Sequence, residues 1–500
     1  MRIFSKYTLV VAAVAFASSG CEDFLDVNES PNSPVEVTNK VLLPPAQVGT
    51  AWASHNELNR LTSPIMQQMA GAAGAPLSYD VYTITASETG LTNAWRFDFY
   101  GSMVNLQEMI RVANETNSPA YAGVAKILKA YNFAVLTDVW GAVPYSEALA
   151  GSDKTTPRLD AQRDIYLGNQ AEGIQSLFDL VREGLADLDQ TTNVFTPGGE
   201  DLIYGGNIAN WKRFGNTLLL KLAMQISNNP EGEPVAKAVI AEVLAKGADA
   251  YITSNAQNAQ VKFGSATGTQ NPVHQWTNVG SFSNDLIAST RYLNRLQALN
   301  DPRLPYLITK PTASYVTIDN GQAGSRPTPT TSWSRFGSYV TGQLTPNTSA
   351  GGDAPIKLIT NFQRAFILAE AKLRWDIGDK SAQELYTEGV MASMAAVGVS
   401  SAEVTAYLAQ ESVGTLSADP TEALKQILLQ KYIAWTGNGY ELWNDWRRTG
   451  YPELPLAQNA AGIDGTIPVR LPYPSTEISR NPNMPNPGPQ TNERVWWDAQ

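Results

Sequence analysis

The sequence predicts a mainly α-helical protein in which helices pack on helices, interrupted by one long irregular stretch. Three observations predict it. Apolar residues recur at spacings of three and four through most of the chain, no alternation of strand and helix runs between them, and residues 248–355 turn to Thr, Ser, Gly, Asn and Pro.

Taken in order, Arg2 and Lys6 precede an apolar stretch from Tyr7 to Ala17, and Ser18, Ser19 and Gly20 lead into Cys21. Residues 1–20 have the layout of a secretory signal, with an apolar run well short of the roughly 20 residues that cross a bilayer. Cys21 is the only cysteine of 500 residues, so it has no intramolecular partner for a disulfide. Its position matches a lipobox, with Ser18 where Leu is usual. Thioether lipidation at a new N-terminus explains the lone thiol, and a buried free thiol is the alternative. Several acyl chains together make a stable membrane anchor. Residues 21–40 mix Asn, Ser, Pro and acids and read as an extended tether, with the folded body over 41–500.

Within that body, Trp95, Phe99, Met103, Leu106 and Ile110 share one helix face. So do Tyr121, Val124, Leu128, Tyr131, Val135 and Val139, and then Ile174, Leu177, Val181, Leu185 and Leu188. Further stripes are Trp211 to Leu222, Val235 to Val243 opened by Pro234 and closed by Gly247, Phe362 to Leu373, Tyr386 to Val397, and Leu424 to Trp435. Inside the irregular excursion, only Leu286 to Leu299 reads as helical. The excursion and the Gly-Ala-rich stretch from Gly71 to Gly90 are the places to look for binding, because long loops in a compact protein usually carry function. The Pro- and Asn-rich segment 481–490 should lie extended on the surface.

Composition narrows the chemistry. The formal net charge is −11, and loss of Arg2 and Lys6 with the signal makes it more negative. Such a surface does not favour nucleic acid. The 12 Trp, 20 Tyr and 14 Phe set against two histidines favour ring stacking over metal chemistry. His55 and His274 are too few for a zinc site. No phosphate loop or Gly-x-Ser-x-Gly elbow is present. No EF-hand spacing appears, so no cofactor is expected, and calcium stays open with no residues to place it on.

Five motifs in order carry a resemblance: CEDFLDVNESPNSP, TDVWGAVPYSEAL, FILAEAKLRW, ELWNDWRRTGYPEL and RLPYPSTEISRNPN. Together they resemble the SusD/RagB family across essentially the whole mature chain, and the Glu22-Asp23 pair resembles the acidic export signal of surface lipoproteins. The resemblance implies a SusD-like fold with tetratricopeptide-like helical hairpins and a loop-rich ligand-binding half. It also implies a partner, a SusC-like TonB-dependent outer-membrane transporter, over which the lipoprotein closes as a lid. A tether keeps such a lid at high effective concentration, so no strong interface is needed.

The motif residues themselves read as scaffold. Asp138, Trp140, Gly141, Pro144 and Tyr145 form a turn, and helical spacing places Glu441 beside Asp445 and Asp445 beside Arg448. For a ligand, a sugar face needs exposed rings with amide or guanidinium donors at the rim. The irregular segments offer Trp276, Trp333, Tyr339, Tyr79, Tyr82 and Phe282, with Arg335 nearby. Oligosaccharide is the expected ligand and peptide the rival. A surface glycoside hydrolase, which needs two carboxylates across a cleft, and an adhesin-like binding protein are the other functions weighed.

Overall fold

The apolar stripes become helices packed face to face. The computed structural model describes residues 37–342 and 351–499; the signal, Cys21 and the tether up to residue 36 lie outside the described residues. The larger helices are α1 (Asn39–His55), α2 (Glu57–Ile65), α3 (Gly101–Glu115), α4 (Pro119–Trp140), α5 (Leu177–Asp189), α6 (Ile208–Gln225), α7 (Gly232–Ala245), α8 (Thr290–Ala298), α9 (Asn361–Trp375), α10 (Ala382–Val397), α11 (Pro420–Ala434) and α12 (Gly439–Thr449). Four short strands accompany them: β1 (Met69–Gly71), β2 (Ala259–Val261), β3 (Leu286–Ala288) and β4 (Ile356–Ile359).

Local chemistry sets the helix ends. Pro119 opens α4 at a position where its missing N–H costs nothing, and Gly141 closes it at φ 81°. Ser176 caps α5 through the Asp179 amide, and Ser381 with Glu384 forms a capping box on α10. Asp419 caps α11 through Thr421 and Glu422.

Packing then runs from neighbour to neighbour. α3 lies against α1 and α4, α4 against α5, α5 against α6, and α6 against both α7 and α9. α9 and α10 pair, α11 lies on both, and α12 returns to α2. α4 and α5 approach closely where Gly123 faces Gly184: a Cβ on Gly123 would meet the Gly184 carbonyl at 2.6 Å. One hydrophobic core extends from Leu42 to Trp497. Each fully buried Leu- or Phe-sized side chain in it contributes about 1.5–3 kcal/mol.

The excursion is held by the strands. β1 pairs antiparallel with β3, Met69 opposite Ala288, and β2 pairs antiparallel with β4, Gln260 opposite Lys357. Leu286–Ala288 is therefore strand and only Thr290–Ala298 is helix, because a short buried apolar run looks the same in either state until its partner is known. The stretch from Gly71 to Gly90 is likewise not an open loop: Gly71 belongs to β1 and Gly74–Asp80 is a short helix. Segment 481–490 is mostly exposed, but Asn481 and Met484 are buried, and Val495 and Trp497 after it enter the core.

Buried polar contacts join the sequence motifs. The Asp138 carboxylate accepts from Tyr166 Oη, Tyr440 Oη, Asn444 Nδ2 and Trp497 Nε1 at 2.7–2.8 Å. Lys221 pairs with Glu441 at 2.6 Å, Lys431 with Asp445 at 2.8 Å, and Arg448 with both Glu370 and Asp445. Burial raises the Glu370 carboxyl, but Arg448, with Arg374 and Lys431 behind it, outweighs this and holds it at about 2. These groups fill the core between helices, and Lys221, Lys431, Glu441, Asp445 and Arg448 line a cavity of only about 10 Å³ there. Among the described residues, no helix is long and apolar enough to cross a membrane.

Candidate functional site

The short hairpin of β2 and β4 builds one wall of a cleft. Lys357, in the middle of β4, projects from the face opposite its buried neighbours Ile356 and Leu358 and reaches Tyr339, whose helical turn Ser338–Thr341 forms the second wall. The turn at Asn255–Asn258 and the end of α10 at Ala395–Val397 complete the outer part, a cleft of about 380 Å³ open to solvent. Behind it a narrow pocket of about 20 Å³, room for a water-sized group, reaches His55 at the end of α1 and the α11–α12 junction, Trp435 to Asn438.

That junction depends on a glycine. Gly437 sits at φ 85°, and a Cβ there would lie 2.4 Å from Val340 Cγ1. Its N–H donates to Gln68 Oε1 at 3.0 Å and its carbonyl accepts from Asn59 Nδ2 at 2.9 Å, which pins the pocket floor to α2 and the segment after it.

Charge in the cleft is sparse. Lys357 Nζ lies 3.9 Å from the Tyr339 ring centroid, a cation over an aromatic face. Burial lowers its ammonium to about 8. His55 is pushed down to about 3 by burial and by the Lys357 charge, so its ring is neutral at physiological pH. No described residue lining either part of the cleft is a carboxylate.

The seven side chains expected from sequence separate into three groups. Tyr339 lines the cleft. Tyr79 and Tyr82, each 1% exposed, and Trp276, 3% exposed, are core. The Tyr82 hydroxyl accepts from the Ala457 N–H at 3.0 Å, and Trp276 donates to the His55 carbonyl while its edge meets Phe336. None of these three rings offers a face to a sugar.

Trp333, Phe282 and Arg335 come together elsewhere. Trp333 is 2% exposed, packed in a small second core with Ala70, Ala72, Ile287 and Ile318 behind the β1–β3 pair. Arg335 covers its ring at 5.5 Å and ties it to the Ser283 carbonyl at 2.8 Å. Beside Ser283, Phe282 is half exposed, with Arg60 stacked on it at 4.7 Å and held by Asp285. Of this group, Phe282 is the ring open to solvent.

Sequence reasoning missed Lys357. The one signal for it was a lysine inside an apolar run, Ile-Lys-Leu-Ile, where alternation puts it on the face opposite Leu358 and Ile356. Among the described residues no group of three or more His, Cys, Asp or Glu could hold a metal.

A sequence profile of the SusD-like family, described as starch-binding and associating with the outer membrane, matches residues 31–474. The chain belongs to the SusD-like family. No curated protein matches it by sequence. Solved structures similar to this SusD-like protein include a SusD homologue from Bacteroides fragilis at 23% identity and TM-score 0.73, covering 92% of this chain and 100% of that one. A SusD homologue from Bacteroides thetaiotaomicron matches at 21% identity and TM-score 0.74, over 93% of this chain and 100% of the other. A chitin-binding SusD homologue from Flavobacterium johnsoniae matches at 22% identity and TM-score 0.73, over 92% and 99%. At these identities the likeness shows the fold, which is the mainly α SusD-like one.

Proposed function

We propose that this SusD-like protein is a non-catalytic lipoprotein of the outer-membrane surface, anchored through Cys21, that captures oligosaccharide and passes it to a SusC-like TonB-dependent transporter. The family description speaks of starch binding and of association with the outer membrane, and one structural relative is described as chitin-binding. The observation that carries the reading is the cleft. Its wall offers the Tyr339 ring with the amide side chains of Asn255, Asn258 and Gln260 around it, the mixture that orients a polyhydroxylated ligand. None of its described lining residues is a carboxylate, whereas glycoside hydrolysis uses a pair about 5–9.5 Å apart. Peptide remains the second ligand class, since an amide-rimmed groove also suits a backbone.

Calorimetric titration with a panel of oligosaccharides and peptides, run beside a reducing-sugar assay, tests this. Saturable glycan binding with no sugar release is expected. Turnover that disappears on mutating one carboxylate would overturn it, and binding of peptides alone would reassign the ligand. Detergent extraction of the native protein should bring a β-barrel partner with it.

A further inference from the structure

The residues lining the inner end of the cleft carry hydrogen-bond donors that no described residue answers. Trp435 Nε1, Asn438 Nδ2 and Tyr339 Oη are buried without a hydrogen-bond partner among the described residues, and Trp435 and Asn438 are each only 2% exposed. Lys357 adds an ammonium that has no ion-pair partner among the described residues and rests on the Tyr339 ring instead. A buried donor left unpaired costs about 1–3 kcal/mol, and an unpaired charge more. Sites that keep several such groups together are where a ligand supplies the missing acceptors.

The sign and number of charges narrow the ligand. His55, which shares the wall, is engaged through Nδ1 with Ser54 Oγ at 2.8 Å and is neutral, so among the described lining residues Lys357 is the single positive charge. The chain carries 47 acidic residues, yet no described one lines this cleft. The complement to one ammonium surrounded by neutral donors is one singly charged, acceptor-rich group.

We propose that this cleft binds a carboxylate, so that the captured ligand is an acidic one, its carboxylate on Lys357 and the inner donors and its body in the outer cleft against Tyr339. This deepens the capture reading above and rests on it. A uronic acid in a glycan and the free C-terminus of a peptide both present that chemistry.

Two matched pairs of probes separate the sources: trigalacturonic acid against its methyl ester, and N-acetyl-trialanine against its C-terminal amide. Each is titrated calorimetrically into the wild-type chain, Lys357→Met and Tyr339→Phe, with circular dichroism to verify folding. In one pair the acid should bind at least about tenfold tighter than its neutral twin, as a charge-assisted contact requires. That preference should vanish in Lys357→Met and weaken in Tyr339→Phe, which keeps the ring. The pair that shows the preference names the source. Absence of an acid preference in both pairs, or its survival in Lys357→Met, overturns the inference. Neutral glycans bound with no acid preference would do so while leaving the capture reading intact; no glycan bound at all, with the peptide acid preferred, would sink the oligosaccharide reading and keep the carboxylate site.

Discussion

The Arg447 guanidinium reaches Asp138 at its main-chain carbonyl, 2.6 Å away, and not at its carboxylate. The carboxylate is already filled by two phenols, an amide and an indole, while Arg447 lies over the faces of Trp443 and Trp497 at 3.7 and 4.6 Å. Burial raises the Asp138 carboxyl, and Lys221 and these donors oppose it. Four donors converge on one acceptor-only group, so an amide in its place turns an NH₂ toward other donors.

Asp138→Asn should therefore lower unfolding free energy by about 2–4 kcal/mol, the cost of leaving buried donors unmatched. Urea denaturation of the two proteins measures it. A change below about 0.5 kcal/mol would mean that the four contacts are not jointly satisfied by charge.

Trp333→Ala should cost about 3–5 kcal/mol because it empties the small core behind β1 and β3. Phe282→Ala should change stability by less than about 1 kcal/mol, since half of that ring already faces water and its main partner is Arg60. Thermal melts of both variants decide this. Equal losses would contradict the burial difference between the two rings.

Much of the fold was legible because the helices announce themselves locally. Tyr121, Val124, Leu128, Tyr131, Val135 and Val139 recur on one face, and all are buried in α4. The site was less legible, for a physical reason. Composition marks a segment as irregular but does not report whether tertiary packing covers it. Tyr79, Tyr82, Trp276 and Trp333 stand in polar, glycine-rich surroundings and are still enclosed, because β1 and β3 pair residues more than two hundred positions apart. Tyr339 stood in the same kind of sequence and does line the cleft. Only the pairing of β2 with β4, which joins residues about a hundred positions apart, reveals that Lys357 faces it.

Lys357 also gives stability a pH dependence. Its folded ammonium titrates at about 8, below the 10.5 of an exposed lysine, so between these values the unfolded chain holds a proton that the folded chain has released. Stability from this group therefore rises with pH across that window, by about 1–3 kcal/mol, and the penalty is fully present below pH 8. Lys357→Met should be more stable than wild type at pH 7, with the gap narrowing toward pH 10. Parallel denaturation curves at the two pH values test it, and a gap that does not change would sink the assignment.

Gly437→Ala should destabilise by about 1–3 kcal/mol, from the positive φ and the clash with Val340. Adding Val340→Ala should recover the steric part and leave the backbone part. If the single variant is neutral, the pocket floor is not fixed as described.

The proposed anchor at Cys21, which lies outside the described residues, has a direct test. Cys21→Ser should move the protein from the membrane to the soluble fraction and abolish labelling by radioactive palmitate. Retention in the membrane would require another anchor.

The indole of Trp497 occupies a place at Asp138 that is 359 positions away along the chain. The centre of the molecule therefore stays open until that distant segment has been delivered to it, whatever helices have already formed. Contacts of such span slow folding, because a long loop must close before they contribute. A chain released after residue 489 would retain its helices but lack the wedge that locks Asp138, Tyr166 and Tyr440 together. A keystone placed so late in the chain acts as a timer: the core is completed last, whatever order the helices form in.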